Sequence, residues 1–227
     1  MSERAELLEL LRVAGFVEAS VERLAAFGAA LLDANRRVNL TGAKSANDLM
    51  PHFIDALAVA PYIRGKYVDV GSGGGLPAIP VAILNGKPVT MIESIVKKAA
   101  FLRSALAELG IVGEVFASRA ETAAHDPLLR EQFTSGTARA VSGVSTVAEL
   151  LLPYLAVGGR ALLQRGTFEQ SERDALTDAA LMLGGRLAEE HQLEGARRIV
   201  ILEKISPSPA RFPRRAGAPE KRPLCLP

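Results

Sequence analysis

Apolar side chains recur every three or four positions over residues 3–13 and about 18–35, where Val21, Leu24, Ala25, Gly28, Leu31 and Leu32 fall on one helical face. Two helices are therefore expected to open the chain. Ser45 and Asp48 resemble a capping box, and Leu49, Phe53, Ile54, Leu57 and Ala60 continue the period, so a third helix is expected, interrupted near Pro51. From Tyr67 the pattern changes to short β-rich runs. YVDVG at 67–71 and PVTMIE at 88–93 read as buried strands, with one helix starting near Pro77 between them and another over 95–109 that ends at Gly110. Beyond it come a strand at 111–117, a weak strand near 137–141, a helix over 145–155, a fifth strand at 160–165 and a helix from about 169 to 182. GRLAEEHQLE and ARRIVILEK, separated by Gly195, predict an antiparallel hairpin at a sheet edge. Strands alternating with helices predict an α/β fold with a mostly parallel sheet. Prolines at 207, 209, 213, 219, 223 and 227 should keep the end of the chain in a loop wrapped on the surface.

Composition narrows the classes. With 48% hydrophobic and 23% charged residues the chain can bury one sizeable core. No apolar run reaches the roughly 18 residues of a membrane span, and MSERAELLELL is a charged amphipathic helix, so a soluble, unsecreted, cytoplasmic protein is expected. The single cysteine, Cys225, excludes an internal disulfide, and neither it nor the scattered His52, His125 and His191 has metal-site spacing, so no metal is expected. Net charge is only +2, yet residues 197–227 carry eight basic side chains against two acidic ones. That local excess suits a polyanionic partner, while charge alone leaves a solvated tail equally open.

The most informative stretch is Asp69-Val70-Gly71-Ser72-Gly73-Gly74-Gly75-Leu76-Pro77, which joins a predicted strand to a predicted helix. Glycines there permit a sharp turn and close approach of a ligand to backbone amides. A dinucleotide fingerprint would need glycine at position 76, where Leu76 stands, so a pyrophosphate is disfavoured. Asp69 beside the turn suits an ammonium better than a phosphate. Glu93, about 20 residues beyond the glycines, stands where an acidic side chain accepts both hydroxyls of a ribose. A glycine-rich turn alone also fits a purely structural role; the combination with Asp69 and Glu93 favours an adenosine-containing ligand.

With these residues in place the sequence resembles the RsmG (GidB) family of bacterial small-subunit ribosomal RNA methyltransferases. The resemblance runs nearly the whole length, through Asn39-Leu40-Thr41, His52 and Asp55, the 69–77 stretch, Glu93-Ser94 with Lys97-Lys98 and Phe101-Leu102, Arg119-Ala120-Glu121, Ala138-Arg139-Ala140, and Pro213-Arg214-Arg215 with Gly217 and Pro219. It implies a class I (Rossmann-like) methyltransferase fold, a seven-stranded, mostly parallel sheet with helices on both faces and an N-terminal helical extension. It also implies transfer of a methyl group from S-adenosylmethionine to guanine N7 in the 530 loop of 16S rRNA. Carried over residue by residue, Asp69, Gly71, Gly73, Gly75 and Leu76 would line the cofactor, Glu93 its ribose, and Ala120 and Glu121 its adenine. Arg139 would stand beside the sulfonium where RNA enters, as both a cofactor-binding and a catalytic residue. Arg211, Arg214, Arg215, Lys221 and Arg222 would contact the backbone of 16S rRNA or the small subunit. Packing readings compete for several of these: Glu121 as the opening of a helix, Arg139 as the partner of a core carboxylate, and Arg214 with Phe212 as packing on the sheet edge. His52 and Asp55, one helical turn apart, read as a structural pair.

The pattern departs from the family at Thr134-Ser135-Gly136-Thr137, a poor strand sequence that predicts a short or irregular fourth strand. Glu93 replaces the commoner aspartate, Ala78 a usual glycine, and Pro51 a basic residue. The expected organisation is a helical region over 1–62, a cofactor-binding core over 63–205 and a basic tail over 206–227, acting as a monomer. Two other activities share parts of this pattern. A small-molecule methyltransferase leaves the tail unexplained, and an NAD-dependent oxidoreductase conflicts with Leu76 and lacks a placeable Tyr, Lys or His constellation.

Overall fold

In a computed structural model, which describes residues 2–138 and 143–225, three helices open the chain: α1 (Glu3–Val13), α2 (Glu18–Asn35) and α3 (Ala46–Val59). There follow β1 (Tyr67–Val70), α4 (Ala78–Asn85), β2 (Val89–Ile92), α5 (Val96–Glu108), β3 (Gly113–Phe116) and the single turn α6 (Ala120–Ala123). The remainder is β4 (Phe133–Ala138), α7 (Val144–Leu151), β5 (Leu155–Arg165), α8 (Gln170–Met182), β6 (Gly185–Gln192), β7 (Arg198–Lys204) and α9 (Ala218–Lys221). The helices opening the chain lie where the apolar period puts them. Ser45 caps α3 by accepting from the Asp48 amide at 3.2 Å. The reciprocal bond goes one residue further back than a capping box requires, from the Lys44 amide to the Asp48 carboxylate at 2.9 Å. The expected break at Pro51 does not occur. Its missing N–H removes one ladder bond, while Leu49, Phe53, Ala56 and Val59, all 0% exposed, hold the helix on both sides of it.

The chain folds into two compact units, Met1–Pro61 with Ser72–Ala117, and Tyr62–Gly71 with Ser118–Pro227. Its seven-stranded mixed sheet contributes β3-β2 to the first unit and β1-β4-β5-β7-β6 to the second. The pairs β2–β3, β1–β4 and β4–β5 are parallel, whereas β7 runs antiparallel to both β5 and β6. The hairpin expected at the edge therefore forms with its later strand inside. Ile199, Val200, Ile201 and Leu202 of β7 are all 0% exposed, a continuous apolar run suited to an interior strand, while β6 alternates half-buried and exposed positions as an edge strand does.

The fourth strand starts earlier than expected, and residues 139–141 of the expected span lie outside the described residues. It begins at Phe133, spans six residues, and is irregular only in a register shift against β5 between Phe133 and Ser135. Its hydroxyls bond to the chain entering β1. Thr134 Oγ1 donates to the Arg64 carbonyl at 2.6 Å, and Ser135 Oγ donates to the same carbonyl at 2.8 Å while accepting from the Arg64 amide at 2.8 Å. These bonds satisfy polar groups that β-propensity counts only as unfavourable. The proline-rich end does wrap as loop, but it contains one helical turn, α9, with Pro219 in its first turn where an N–H has no helical acceptor. Among the described residues no helix is long and apolar enough to cross a membrane.

Candidate functional site

In the first unit the glycine turn leaves β1 and enters α4. The Ser72 amide donates to the Ile92 carbonyl at 3.1 Å and the Gly75 amide to the Ser72 carbonyl at 2.7 Å, which closes the turn against the end of β2. Gly73 and Gly75 take φ values of 56° and 84°, in the left-handed region that side-chain-bearing residues avoid. The Gly73 amide donates to Glu93 Oε2 at 2.8 Å and the Ile95 amide to Glu93 Oε1 at 2.7 Å. Glu93 is 6% exposed, so the sequence-predicted glycine and acid meet in one hydrogen bond at the C-terminal ends of the strands. Each carboxylate oxygen keeps a further lone pair, which fits it to accept a ribose hydroxyl. Gly75 has a different task. A Cβ there would come 2.7 Å from Ile79 Cδ1 and 3.0 Å from Leu102 Cδ2, so its bare backbone admits the close packing of α4 and α5. Leu76 is buried at 5% exposure.

In the second unit Asp69 lies near the end of β1, 1% exposed, and Gly71 follows with φ 72°. Thr137 of β4 stands opposite Asp69 in the strand pairing and donates to its Oδ1 at 2.5 Å, while the Tyr67 hydroxyl lies 2.6 Å from Thr137 Oγ1. Since the Thr137 proton goes to Asp69, Tyr67 supplies the proton between the two hydroxyls. Burial, reinforced by the Asp69 charge, pushes the Tyr67 pKa well above its ordinary 10.0 and keeps it a donor. Sequence reasoning missed this relay; a polar residue facing Asp69 from an apparently poor strand was the available signal.

Ala120 and Glu121 open α6 in the same unit. The Ala120 carbonyl accepts from the Tyr154 hydroxyl at 2.7 Å. Glu121, 2% exposed, accepts at Oε1 from Arg119 at 2.9 Å and from the Gly217 amide at 2.7 Å. Burial raises its pKa, but the Arg119 and Gly217 bonds together outweigh it and hold the carboxyl below its ordinary value. Its Oε2 is buried and accepts no hydrogen bond among the described residues, an open acceptor that fits the exocyclic amine of an adenine. Arg139 lies outside the described residues.

Among the tail residues, Arg211, Arg215, Lys221 and Arg222 are exposed, Arg211 over the Phe212 ring at 4.8 Å. Arg214 is engaged within the fold. Its Nε and Nη2 grip Glu149, 0% exposed, at 2.9 and 2.6 Å, and its amide donates to the same carboxylate at 2.8 Å. A buried carboxylate needs a fixed cation, so Arg214 is a structural latch. More bonds bind the same segment. Arg130 donates to the carbonyls of Ser208 and Phe212, each at 2.8 Å, and Glu131 accepts from the Ser208 amide at 2.6 Å. Thr146 donates to the Pro219 carbonyl at 3.0 Å and Ser145 to that of Cys225 at 2.7 Å. The tail is thus a strap bonded to α6 and α7. No group of three or more His, Cys, Asp or Glu suited to a metal ion occurs among the described residues.

Comparison with known proteins gives a consistent picture. The family described as rRNA small subunit methyltransferase G matches residues 20–201. Ribosomal RNA small subunit methyltransferase G of Dehalococcoides mccartyi is 41% identical over 205 residues, covering 86% of this chain and 87% of that protein. The protein of the same name from Pelotomaculum thermopropionicum is 37% identical and covers 99% of this chain and 100% of its own. Among solved structures, a mutant of MtNAS in complex with S-adenosylmethionine superposes with a TM-score of 0.54 over 88% of this chain and 84% of that one, at 16% identity, a likeness of fold.

Proposed function

We propose, from the premise that this chain belongs to the rRNA small subunit methyltransferase G family, that it methylates N7 of a guanine in the 530 loop of 16S rRNA. It is an S-adenosylmethionine-dependent methyltransferase. The observation that carries the reading is the hydrogen bond between the Gly73 amide and Glu93, which ties the glycine turn to an acid with acceptors for a ribose. Small-subunit rRNA as substrate places the enzyme in the cytoplasm.

Bound S-adenosylmethionine supplies a methyl group made electrophilic by the sulfonium charge. Glu93 would accept the ribose hydroxyls, with Gly73 and Leu76 beside it in the first unit. In the second, Asp69 would face the ammonium and Gly71 the methionyl portion, while Ala120 and Glu121 would meet the adenine. Guanine N7 presents a lone pair and carries no proton, so no side chain has to act as a general base. What remains for the protein is orientation and exclusion of water. Arg139 would orient guanine O6 or an RNA phosphate. Arg211, Arg215, Lys221 and Arg222 would contact phosphates, raising affinity without selecting sequence.

The test is methyl transfer from labelled S-adenosylmethionine to small-subunit particles and to free 16S rRNA from a strain lacking the enzyme, followed by mapping of 7-methylguanine. Label at one guanine of the 530 loop is expected. Label elsewhere in the RNA would overturn the position, and binding of cofactor with no label on either RNA would move the substrate to another class.

A further inference from the structure

The Asn39-Leu40-Thr41 motif has no place in the chemistry above, yet in the first unit it is built against the glycine turn. Asn35 is the last residue of α2, and its side chain uses its full hydrogen-bonding capacity on the segment that follows. Its Nδ2 donates to the Thr41 carbonyl at 2.9 Å and the Ala43 carbonyl at 3.0 Å, and its Oδ1 accepts from the Leu40 amide at 2.8 Å and the Thr41 amide at 3.0 Å. One amide thereby sets the course of four residues of irregular backbone. A bond from the Ala43 amide to Thr41 Oγ1, at 3.2 Å, closes the same bend.

What the bend carries is Leu40, 8% exposed and directed inward. A Cβ on Gly74 would lie 3.0 Å from the Leu40 carbonyl oxygen and 3.3 Å from Leu40 Cβ, with Leu31 Cδ1 at 3.0 Å. The backbone of Gly74 is therefore pressed between the Leu40 bend and Leu31, one helical turn before Asn35 on α2. The neighbouring Gly73 amide is the donor to Glu93. We infer that Asn35 is a positioning residue for the cofactor: through Leu40 it fixes the height of the Gly73–Gly74 backbone and so the place of Glu93. The inference rests on the reading of this turn as the S-adenosylmethionine site.

Calorimetric titration of the full chain with S-adenosylmethionine, paired with thermal unfolding, tests it. Asn85 offers a matched control in the same unit, because its Nδ2 also ties down irregular backbone, donating to the Ala60 carbonyl at 3.0 Å. Asn35→Ala is expected to weaken cofactor binding roughly tenfold, with the KM for RNA unchanged, while Asn85→Ala lowers the unfolding temperature without moving cofactor affinity. Asn35→Asp, which keeps both acceptors and loses both donors, serves if Asn35→Ala does not fold and is expected to weaken binding as well. Leu40→Ala should reproduce the loss, and the double variant with Asn35→Ala should fall short of the sum. Unchanged affinity in folded Asn35 variants, or an equal loss in Asn85→Ala, would overturn the inference. Absence of cofactor binding by the unaltered chain would instead overturn the functional reading.

Discussion

Single residues in this chain differ in how far their neighbours along the sequence reveal them. Glu93 was legible because its spacing from the glycines reports a local strand-turn-helix-strand unit, and the turn amide does meet it at 2.8 Å. Glu93→Gln keeps the shape, loses the charge, and turns an N–H towards one backbone donor. Charged hydrogen bonds contribute about 1.5–3 kcal/mol, so calorimetry should show S-adenosylmethionine binding weakened roughly tenfold to a hundredfold. Thr137 was not legible, because the Asp69 carboxylate it serves is 68 residues away. Thr137→Val fills the same volume but takes the acceptor from the buried Tyr67 hydroxyl. A loss of about 1–3 kcal/mol is expected in urea unfolding, with weaker cofactor binding as the ammonium partner Asp69 shifts. An unaltered midpoint would show that the relay contributes nothing to stability.

At the scale of elements, periodicity served wherever an element buries one face and failed where the partner decides. Helices α1 and α2 occupy the spans their apolar period predicts, with Leu7, Leu11, Val21, Leu24, Leu31 and Leu32 buried, and β7 was legible as a strand from its unbroken apolar run. Its interior position was not, since nothing local states which of two hairpin strands meets β5. Strand β4 was underestimated because its polar side chains are satisfied by the Arg64 carbonyl and by Asp69, contacts that exist only after the sheet forms. The ion pair of Arg214 was not legible for the same reason. In a run of surface arginines its sequence context is that of Arg215, whereas Glu149 lies 65 residues earlier. The two arginines should therefore separate experimentally. Arg214→Ala leaves Glu149 buried without its cation and is expected to cost on the order of 3 kcal/mol of unfolding free energy. Arg215→Ala should leave stability within about 0.5 kcal/mol and instead lower the slope of log affinity for RNA against log salt by about 1. Equal effects of the two on stability would remove the distinction between latch and phosphate contact.

For the molecule as a whole, the fold class and strand sequence were readable, while the division into two interleaved units was not, because each unit gathers segments far apart in the chain. The acid stability of the chain follows from one of those gatherings. The Glu121 carboxyl is held below its ordinary 4.5 in the folded state. The unfolded chain then takes up the proton first, so its contribution is complete above about pH 4.5 and is lost as pH falls towards the lowered value. Chemical denaturation at pH 7 and at progressively lower pH should show this decline, and Glu121→Gln should flatten it while a pH-independent slope in the unaltered chain would remove Glu121 from the account. The strap has a consequence for the order of synthesis. Glu121, Arg130, Glu131 and Glu149 emerge from the ribosome long before Ser208, Phe212, Arg214 and Gly217, which satisfy them. Until then Glu149 lacks its cation, and Glu121 and Arg130 lack part of their hydrogen bonding, so a chain ending at residue 207 is expected to be cleaved by protease faster than the 227-residue chain. Emergence of residues 208–217 is thus the step that lets the second unit pair its buried polar groups.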